Sequence, residues 1–449
     1  MKRNSQNQRG QALILIVFAI VGMIGLTALA IDGGNAYSDR RHAQNAADTA
    51  ALAAALSKVD GADQATWTQA GLNIAASNGY SNGTNATVSV NLCSPQPNPP
   101  CVLGTGENPA NFIQVVITST VQTYFAPVLG IRQLTNTVDA IAKAVPSVPT
   151  TWFNGNALVA LMPGCKPIGW NSDPFTISGN QLSIVNGNGI LVNSNCSNAF
   201  TQNGNNSLTA PGGICVVGGA SPGLVNVNPP PQTNCPNGID PNMYQLPPLT
   251  YPDSCASEGN GYIENMGTYF LAHPGVYTST FPPGQSGELR LKQGIYCLNH
   301  GISIQGGWNV TTELETPPDG YQPYEGVLLF VNNGGVDIAG SSSIYLHAIS
   351  TTSTGLGADL TGYLLYLPPT NTSTVKLTGG ANTTYVGTIL APASLITLSG
   401  GQSAGNTLNL QTQVIGYSVT LTGSGNLNIT YNASQNATTH TKPQLTPYK

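Results

Sequence analysis

Charge is what this chain has least of. Only 7% of its 449 residues are Asp, Glu, Lys or Arg, 14 basic against 19 acidic, for a formal net charge of −5. Outside the N-terminal flank and Arg40-Arg41 no basic cluster occurs. Nucleic-acid binding requires a dense cationic surface that displaces counterions, so that class of partner is excluded. Absent as well are the phosphate, dinucleotide and metal patterns: no Walker A loop, G-x-G-x-x-G, H-E-x-x-H, EF-hand loop or C-x-x-C. No cofactor and no resident metal is expected. With 40% hydrophobic residues, 52 Gly and 32 Pro, the chain is neither a disordered polyelectrolyte nor an ordinary cytosolic enzyme.

The organising stretch is the one where charge vanishes altogether. Gly10 to Ile31 contains no ionisable side chain. As a helix it extends about 33 Å, which matches a bilayer hydrocarbon core of ~30 Å. Lys2, Arg3 and Arg9 precede it without an intervening acid. The positive-inside bias then places residues 1–9 in the cytoplasm, 10–31 across the membrane and nearly everything else outside. Ala28-Leu29-Ala30 supplies an A-x-A site. A cleaved signal, however, has an apolar core of only ~7–15 residues and does not continue as helix. A buried helix of a soluble protein fits the basic flank poorly. Residues 32–59 are mostly good helix formers, so one long helix is expected, half in lipid and half a projecting stalk. Ala43, Ala47, Ala50 and Ala54 fall on one face of it, a smooth stripe suited to close helix–helix approach.

Arg9-Gly10-Gln11-Ala12, the apolar run, Ala30-Ile31-Asp32, Tyr37, Arg40-Arg41 and the block Gln44-Asn45-Ala46-Ala47-Asp48-Thr49-Ala50-Ala51-Leu52-Ala53 resemble the N-terminal segment of the TadE/TadG-like proteins of the Flp (tight-adherence) pilus system. The resemblance covers about fifty residues. It implies a bacterial, membrane-anchored, pilin-like protein with a role in surface appendages or adhesion. The sequence departs from processed prepilins of this kind, which are cut after a Gly and carry Glu at the fifth mature position. Counting from Gln11, that position is Leu15. Processing after Gly10 and permanent anchoring both stay open.

All eight cysteines lie beyond the apolar run, an even count that reads as disulfides in an oxidising compartment. Cys93 and Cys101 flank a short Pro-rich loop and are the favoured pair; the other connectivities stay open. Asp60-Gly61 and Asp63 mark a break and an N-cap before a short helix reaching Asn78-Gly79. Alternating strands over 86–92, 112–121 and 137–145 then suggest a small α+β pilin-like domain at 60–146, ending in a linker at 147–156.

From 157 to 432 short apolar strands recur between glycine turns. Val375-Lys-Leu-Thr-Gly-Gly380, Leu395-Ile-Thr-Leu-Ser-Gly-Gly401 and Val419-Thr-Leu-Thr-Gly-Ser-Gly425 are near-copies, with Leu377 to Leu398 spanning 21 residues and Leu398 to Leu421 spanning 23. Ile302-Ser-Ile, Val336-Asp-Ile, Phe175-Thr-Ile and Ile214-Cys-Val extend the theme. A period near 22 predicts a right-handed parallel β-helix. An antiparallel β-sandwich is the alternative. The Pro- and Asn-rich stretch 222–252 reads as an excursion from the stack, and 433–449 as a flexible tail. The expected fold class is thus mixed and mainly β, with an N-terminal transmembrane helix.

Candidate chemistry is thin. Gly219-Ala-Ser221-Pro-Gly223 fits G-x-S-x-G, but Pro222 lacks the N–H an oxyanion hole needs. Gly401-Gln-Ser403-Ala-Gly405 runs into a strand pattern where a nucleophile elbow requires a helix, and so does Ser373-Thr-Val-Lys376. A β-helix enzyme acting on polysaccharide would need clustered carboxylates; Asp337 and Asp359 stand alone, and Glu288, Arg290 and Lys292 form the one mixed cluster. His273, His300 and His347 have no partner at motif spacing. No catalytic, cofactor-binding or metal residue is assigned. The expected function is a non-enzymatic, membrane-anchored structural or adhesion protein. Its expected partners are membrane lipid, other pilus or envelope proteins and surface glycans; the alternatives are a polysaccharide-active enzyme and an adhesin independent of pili.

Overall fold

The computed structural model describes residues 9–83, 85–95, 99–166, 173–236, 240–255, 259–284, 286–312, 326–339, 343–349, 360–380, 383–401 and 406–448. The flank before residue 9, Asp359 and Ser403 lie outside them. Two compact units result, Met1–Val148 with Lys442–Lys449, and Pro149–Thr441.

The first unit is built on α1 (Arg9–Val59), an unbroken helix of 51 residues and about 77 Å. Its first half is apolar and exposed; it is the one described helix long and apolar enough to cross a membrane. Gly61, at φ +88°, ends the chain's helical course. Asp63 then caps α2 (Gln64–Ser77) by accepting the Thr66 N–H at 2.9 Å. Three antiparallel strands follow, β1 (Ala86–Leu92), β2 (Phe112–Gln122) and β3 (Gln133–Val145). Alternation puts Val88, Val90, Ile113, Val115, Ile117, Val138, Ala140, Ala142 and Ala144 on one face, and α1 and α2 cover it.

The alanine stripe of α1 is wider than its sequence spacing suggests, because Ala46, Ala51 and Ala55 are buried with Ala43, Ala47, Ala50 and Ala54. It also meets a different surface from the expected one: besides α2, it packs on the sheet. Small side chains are needed on both sides of α1. A Cβ on Gly71 of α2 would already stand 3.2 Å from the Ala54 Cβ and 3.1 Å from Val90.

The other face of this sheet has its own small core of Cys93, Cys101, Phe112 and Ile141, closed by the Cys93–Cys101 disulfide. The C-terminal residues complete it, which corrects the expectation of a flexible tail over 433–449. Thr438–His440 and Gln444–Pro447 are strands, the latter paired antiparallel with β3. Tyr448 sets its ring edge-on to Phe112 at 4.8 Å and accepts the Gly104 N–H at 2.7 Å. Strand addition uses backbone groups at the open edge of β3, and side-chain composition does not report that.

The linker expected at 147–156 is likewise structured. Pro149–Thr151 pairs with Thr438–His440, and Trp152 and Phe153 are buried. Trp152 Nε1 donates to Tyr363 Oη at 2.7 Å.

The second unit consists mainly of two long sheets, of 11 and 15 strands. Their ladders are parallel, apart from the antiparallel pair Ile263–Asn265 and Phe270–Ala272. An antiparallel sandwich would require the opposite. The near-copies in sequence lie directly against one another: Ile304, Ile338, Leu377, Leu398, Leu421 and Ile177 are successive register partners. Buried apolar residues from both sheets merge in one core. Glycine turns permit the close spacing; a Cβ on Gly425 would run into the Gly400 carbonyl. Ile214–Val216 joins a different row, against Ile190–Val192.

Spatial order does not follow chain order. Leu158–Ala160, Phe175–Ser178 and Leu182–Asn186 form the middle of the stack, and the chain builds outward from there to Gln232–Thr233. It resumes beyond the Pro-rich excursion at the opposite end, near Ile263–Asn265, and winds back. The final coil, Val414–Thr422 and Asn426–Thr430, closes the seam by pairing with all three middle strands. Gln413 holds the join, its amide donating to the Trp152 and Asn156 carbonyls at 2.7 Å each.

Several buried polar atoms have no hydrogen-bond partner among the described residues, and one of them lies in the apolar core. Tyr385 is 2% exposed, and its hydroxyl has no hydrogen-bond partner among the described residues. Burial pushes its pKa up. Tyr385→Phe removes a desolvated hydroxyl without leaving a cavity, and it is expected to stabilise the unit by roughly 1 kcal/mol. A higher denaturant midpoint with unchanged m-value is the checkable result.

Candidate functional site

The helix that carries the anchor is fastened to its sheet by three polar residues on the covered side. Asp32, buried at the end of the apolar run, accepts the N–H groups of Tyr124, Phe125 and Ala126 at 2.8, 2.9 and 2.7 Å. Two turns on, Asp39 accepts from Tyr80 Oη at 2.9 Å, Ser119 Oγ at 2.6 Å and Asn136 Nδ2 at 2.7 Å. Burial, with the Asp39 hydrogen bond and charge, drives the Tyr80 hydroxyl pKa upward. Gln44 Nε2 donates to the Asp139 carbonyl at 3.0 Å and to Asp48 at 2.9 Å. In the Gln44–Ala53 block, then, Gln44 bridges helix and sheet while Ala46, Ala47, Ala50 and Ala51 provide the contact surface. Sequence reasoning did not assign the roles of Asp32 and Asp39. Their signal was present as two acids seven residues apart, hence on one helix face, in a chain with few charges.

The second unit offers a polar surface on its 11-stranded sheet. Arg290, Thr311, Tyr345, Thr384, Asn409 and Asn428 are successive register partners and form one row across it. At one end of this row lies a groove of about 510 Å³, with Thr384, Asn409, Gln411, Asn428, Thr430 and Gln435 among its walls. Asn428 Nδ2 donates to Asn409 Oδ1 at 3.4 Å between adjacent strands. Amides and hydroxyls without formal charge suit a neutral, hydroxyl-rich ligand, since each can donate or accept without a counterion. At the other end Arg290 lies over the Tyr269 ring at 4.0 Å and binds Glu288 at 2.7 Å.

The residues singled out for chemistry are mostly occupied structurally. Lys376 sits opposite Asp337 on the neighbouring strand and pairs with it at 3.8 Å. Ser373 precedes the strand Val375–Thr378, so no helix presents it. The Ser221 N–H donates to the Phe200 carbonyl at 2.8 Å, in a strand-like bridge. His273 stacks on Tyr262 at 4.0 Å and approaches Glu264 at 3.3 Å. His300 is exposed. His347 Nδ1 lies 2.6 Å from the Ala348 carbonyl; burial lowers its pKa and that contact opposes the shift. The Lys292 backbone N–H donates to the Ala272 carbonyl at 3.0 Å. Among the described residues no group of three or more His, Cys, Asp or Glu could hold a metal ion.

All eight cysteines are paired, as Cys93–Cys101, Cys165–Cys196, Cys215–Cys235 and Cys255–Cys297. The last two tie Cys235 and Cys255, on either side of residues 240–252, to the stacked strands Ile214–Val216 and Gly294–Leu298.

No curated protein and no solved structure matches the chain. A family match does exist, and it falls on α1 from the start of the apolar run to just past the last buried alanine. Together with the apolar helix it fits a membrane protein related to the Tad pilus. Residues 10–57 match the model of the Tad family, described as putative Flp pilus-assembly TadE/G-like, and the N-terminal segment of this chain is TadE/G-like.

Proposed function

We propose that the protein is a single-pass component of a Flp (Tad)-type pilus system, with its N-terminus in the cytoplasm and both units outside the membrane. Its role in this reading is structural and adhesive, not catalytic. The second unit is a right-handed parallel β-helix that presents its outward row to other pilus or envelope proteins and to surface glycans. The observation that carries the proposal is the TadE/G-like match, which coincides with the apolar half of α1 and with the alanines that seat its other half. Paired cysteines support an oxidising compartment for the units beyond the helix. The paired states of Asp337, Lys376, Glu288 and Arg290 support a scaffold over an active centre.

The test is fractionation of cells producing the full chain, combined with C-terminal reporters that are active on only one side of the membrane. The expected result is an extracytoplasmic C-terminus and co-purification with sheared filaments or with the membrane pilus machinery. A cytoplasmic C-terminus overturns the orientation, and release of sugars from a polysaccharide panel overturns the non-catalytic role.

The groove makes a separate prediction. Asn409→Ala together with Asn428→Ala should weaken retention on an immobilised polysaccharide that binds the parent at least tenfold, the loss of about 1.4 kcal/mol of hydrogen bonding. Circular dichroism should be unchanged. Equal retention of parent and variant removes the groove from the adhesive surface.

A further inference from the structure

The anchoring carboxylate at the end of the apolar run holds a loop whose own surface is apolar. Between β2 and β3 the chain turns through residues 123–132, with a short 3-10 turn at Ala126–Leu129. Asp32 collects three consecutive N–H groups at the start of this loop. Thr123 closes it at the base, its N–H donating to the Arg132 carbonyl at 3.1 Å and its hydroxyl to the Ile131 carbonyl at 2.7 Å. Ala28, one turn before Asp32, is 4% exposed, whereas Leu26 and Leu29 on the other side of the helix stand open. Contact with α1 therefore begins inside the apolar run.

Held this way, the loop displays Tyr124 at 72%, Phe125 at 37%, Val128 at 68% and Ile131 at 46% exposure. Four large apolar or aromatic side chains within eight residues are hard to explain on a water-facing turn, where exposed hydrophobes normally occur singly. Position supplies the explanation. If Gly10 to Ile31 fills the hydrocarbon core, Asp32 stands at its outer edge, and the loop hangs at the level of the lipid headgroups. That zone favours Tyr and other amphipathic or apolar side chains over a polar turn. It also penalises open backbone donors, and here Asp32 satisfies three of them. Arg132, exposed at the loop's end, is of the sign that lipid phosphates attract.

We propose that residues 124–131 form an interfacial membrane contact, a second point of attachment to the bilayer beside the helix. Asp32 acts as a positioning residue that holds the loop against α1 at the lipid boundary. Two attachment points would fix how the first unit is oriented on the membrane, which a single helix leaves free to rotate. This inference rests on the reading of α1 as a membrane span.

The experiment places the photoreactive amino acid p-benzoylphenylalanine singly at positions 18, 102 or 128 of the full chain, replacing Phe18, Val102 or Val128. Each protein is reconstituted in phosphatidylcholine–phosphatidylglycerol vesicles and irradiated, and adducts are read by mass spectrometry. Val102 is as exposed as the loop, at 72%, but follows Cys101 in the small core at the opposite end of β2. Lipid adducts are expected at 18 and 128, with at least a tenfold lower yield at 102. Adducts at 18 without 128, or protein adducts at 128, overturn the interfacial contact and leave the span intact. No lipid adduct at 18 removes the span and the inference with it. Asp32→Ala should lower the yield at 128 several-fold relative to 18; an unchanged ratio overturns the positioning role.

Discussion

Leu421→Asp is expected to unfold the whole unit from 149 to 441, not only the final coil in which it lies. Leu421 is fully buried, between Leu398 on one side and Ile177 on the other. The substitution loses roughly 2–3 kcal/mol of apolar burial and places a carboxylate where nothing can solvate it. The combined penalty, on the order of 5 kcal/mol or more, is comparable with the whole stability of many domains. Its reach follows from the topology. In a stack wound in chain order the last coil is an end coil, and its loss frays one terminus. Here the last coil is the seam between strands 158–233 and strands 263–411. Val216→Asp, equally buried but beside the terminal strand Gln232–Thr233, is the comparison. In limited proteolysis of the full-length protein, new cuts should spread through 149–441 for the first variant and cluster near 190–235 for the second. A Leu421→Asp protein that melts within about 1 kcal/mol of the parent would show that the seam does not carry the unit.

Ala50→Asp should detach α1 from its sheet. Ala50 has no exposed surface and lies in the apolar cluster that α1 and α2 form with Val and Ile of the three strands. A longer side chain cannot enter without pushing helix and sheet apart, and a charge there has no partner, so a loss of about 3–5 kcal/mol is expected. Thr49→Asp, one position away on the exposed side, should stay within about 0.5 kcal/mol. The readout is protease sensitivity of residues 60–145 in detergent-solubilised protein. The apolar half of α1 should remain in the membrane fraction in both variants, because its insertion depends on Gly10 to Ile31 alone. Equal protease resistance of the two variants would mean that the alanine stripe is not what holds the sheet.

These two substitutions separate what could be read from the chain alone from what could not. The apolar run, the break at Gly61, α2 and the three strands of the first unit were legible because each is a local pattern: a length, a cap, a periodicity. The Cys93–Cys101 disulfide was legible because the loop between them is short. The in-register column through Leu377, Leu398 and Leu421 was legible because stacked neighbours repeat one another. The partner of the alanine stripe was not, since small residues permit close approach without saying to what. Asp32 and Asp39 were passed over for a similar reason. A carboxylate in a helix discloses its role only when the donors of a distant loop arrive, and the Tyr124 N–H comes from 92 residues away.

By itself the amino-acid sequence determined where the apolar run ends and which residues repeat, because hydropathy and period are properties of short stretches. Tertiary structure alone decided that the last coil closes the middle of the stack, that the polar C-terminus becomes a strand on β3, and that Asp32 grips an apolar loop. Those outcomes depend on backbone groups and on separations of tens to hundreds of residues. Main-chain donors and acceptors are the same at nearly every position, so no side-chain pattern records which of them will meet.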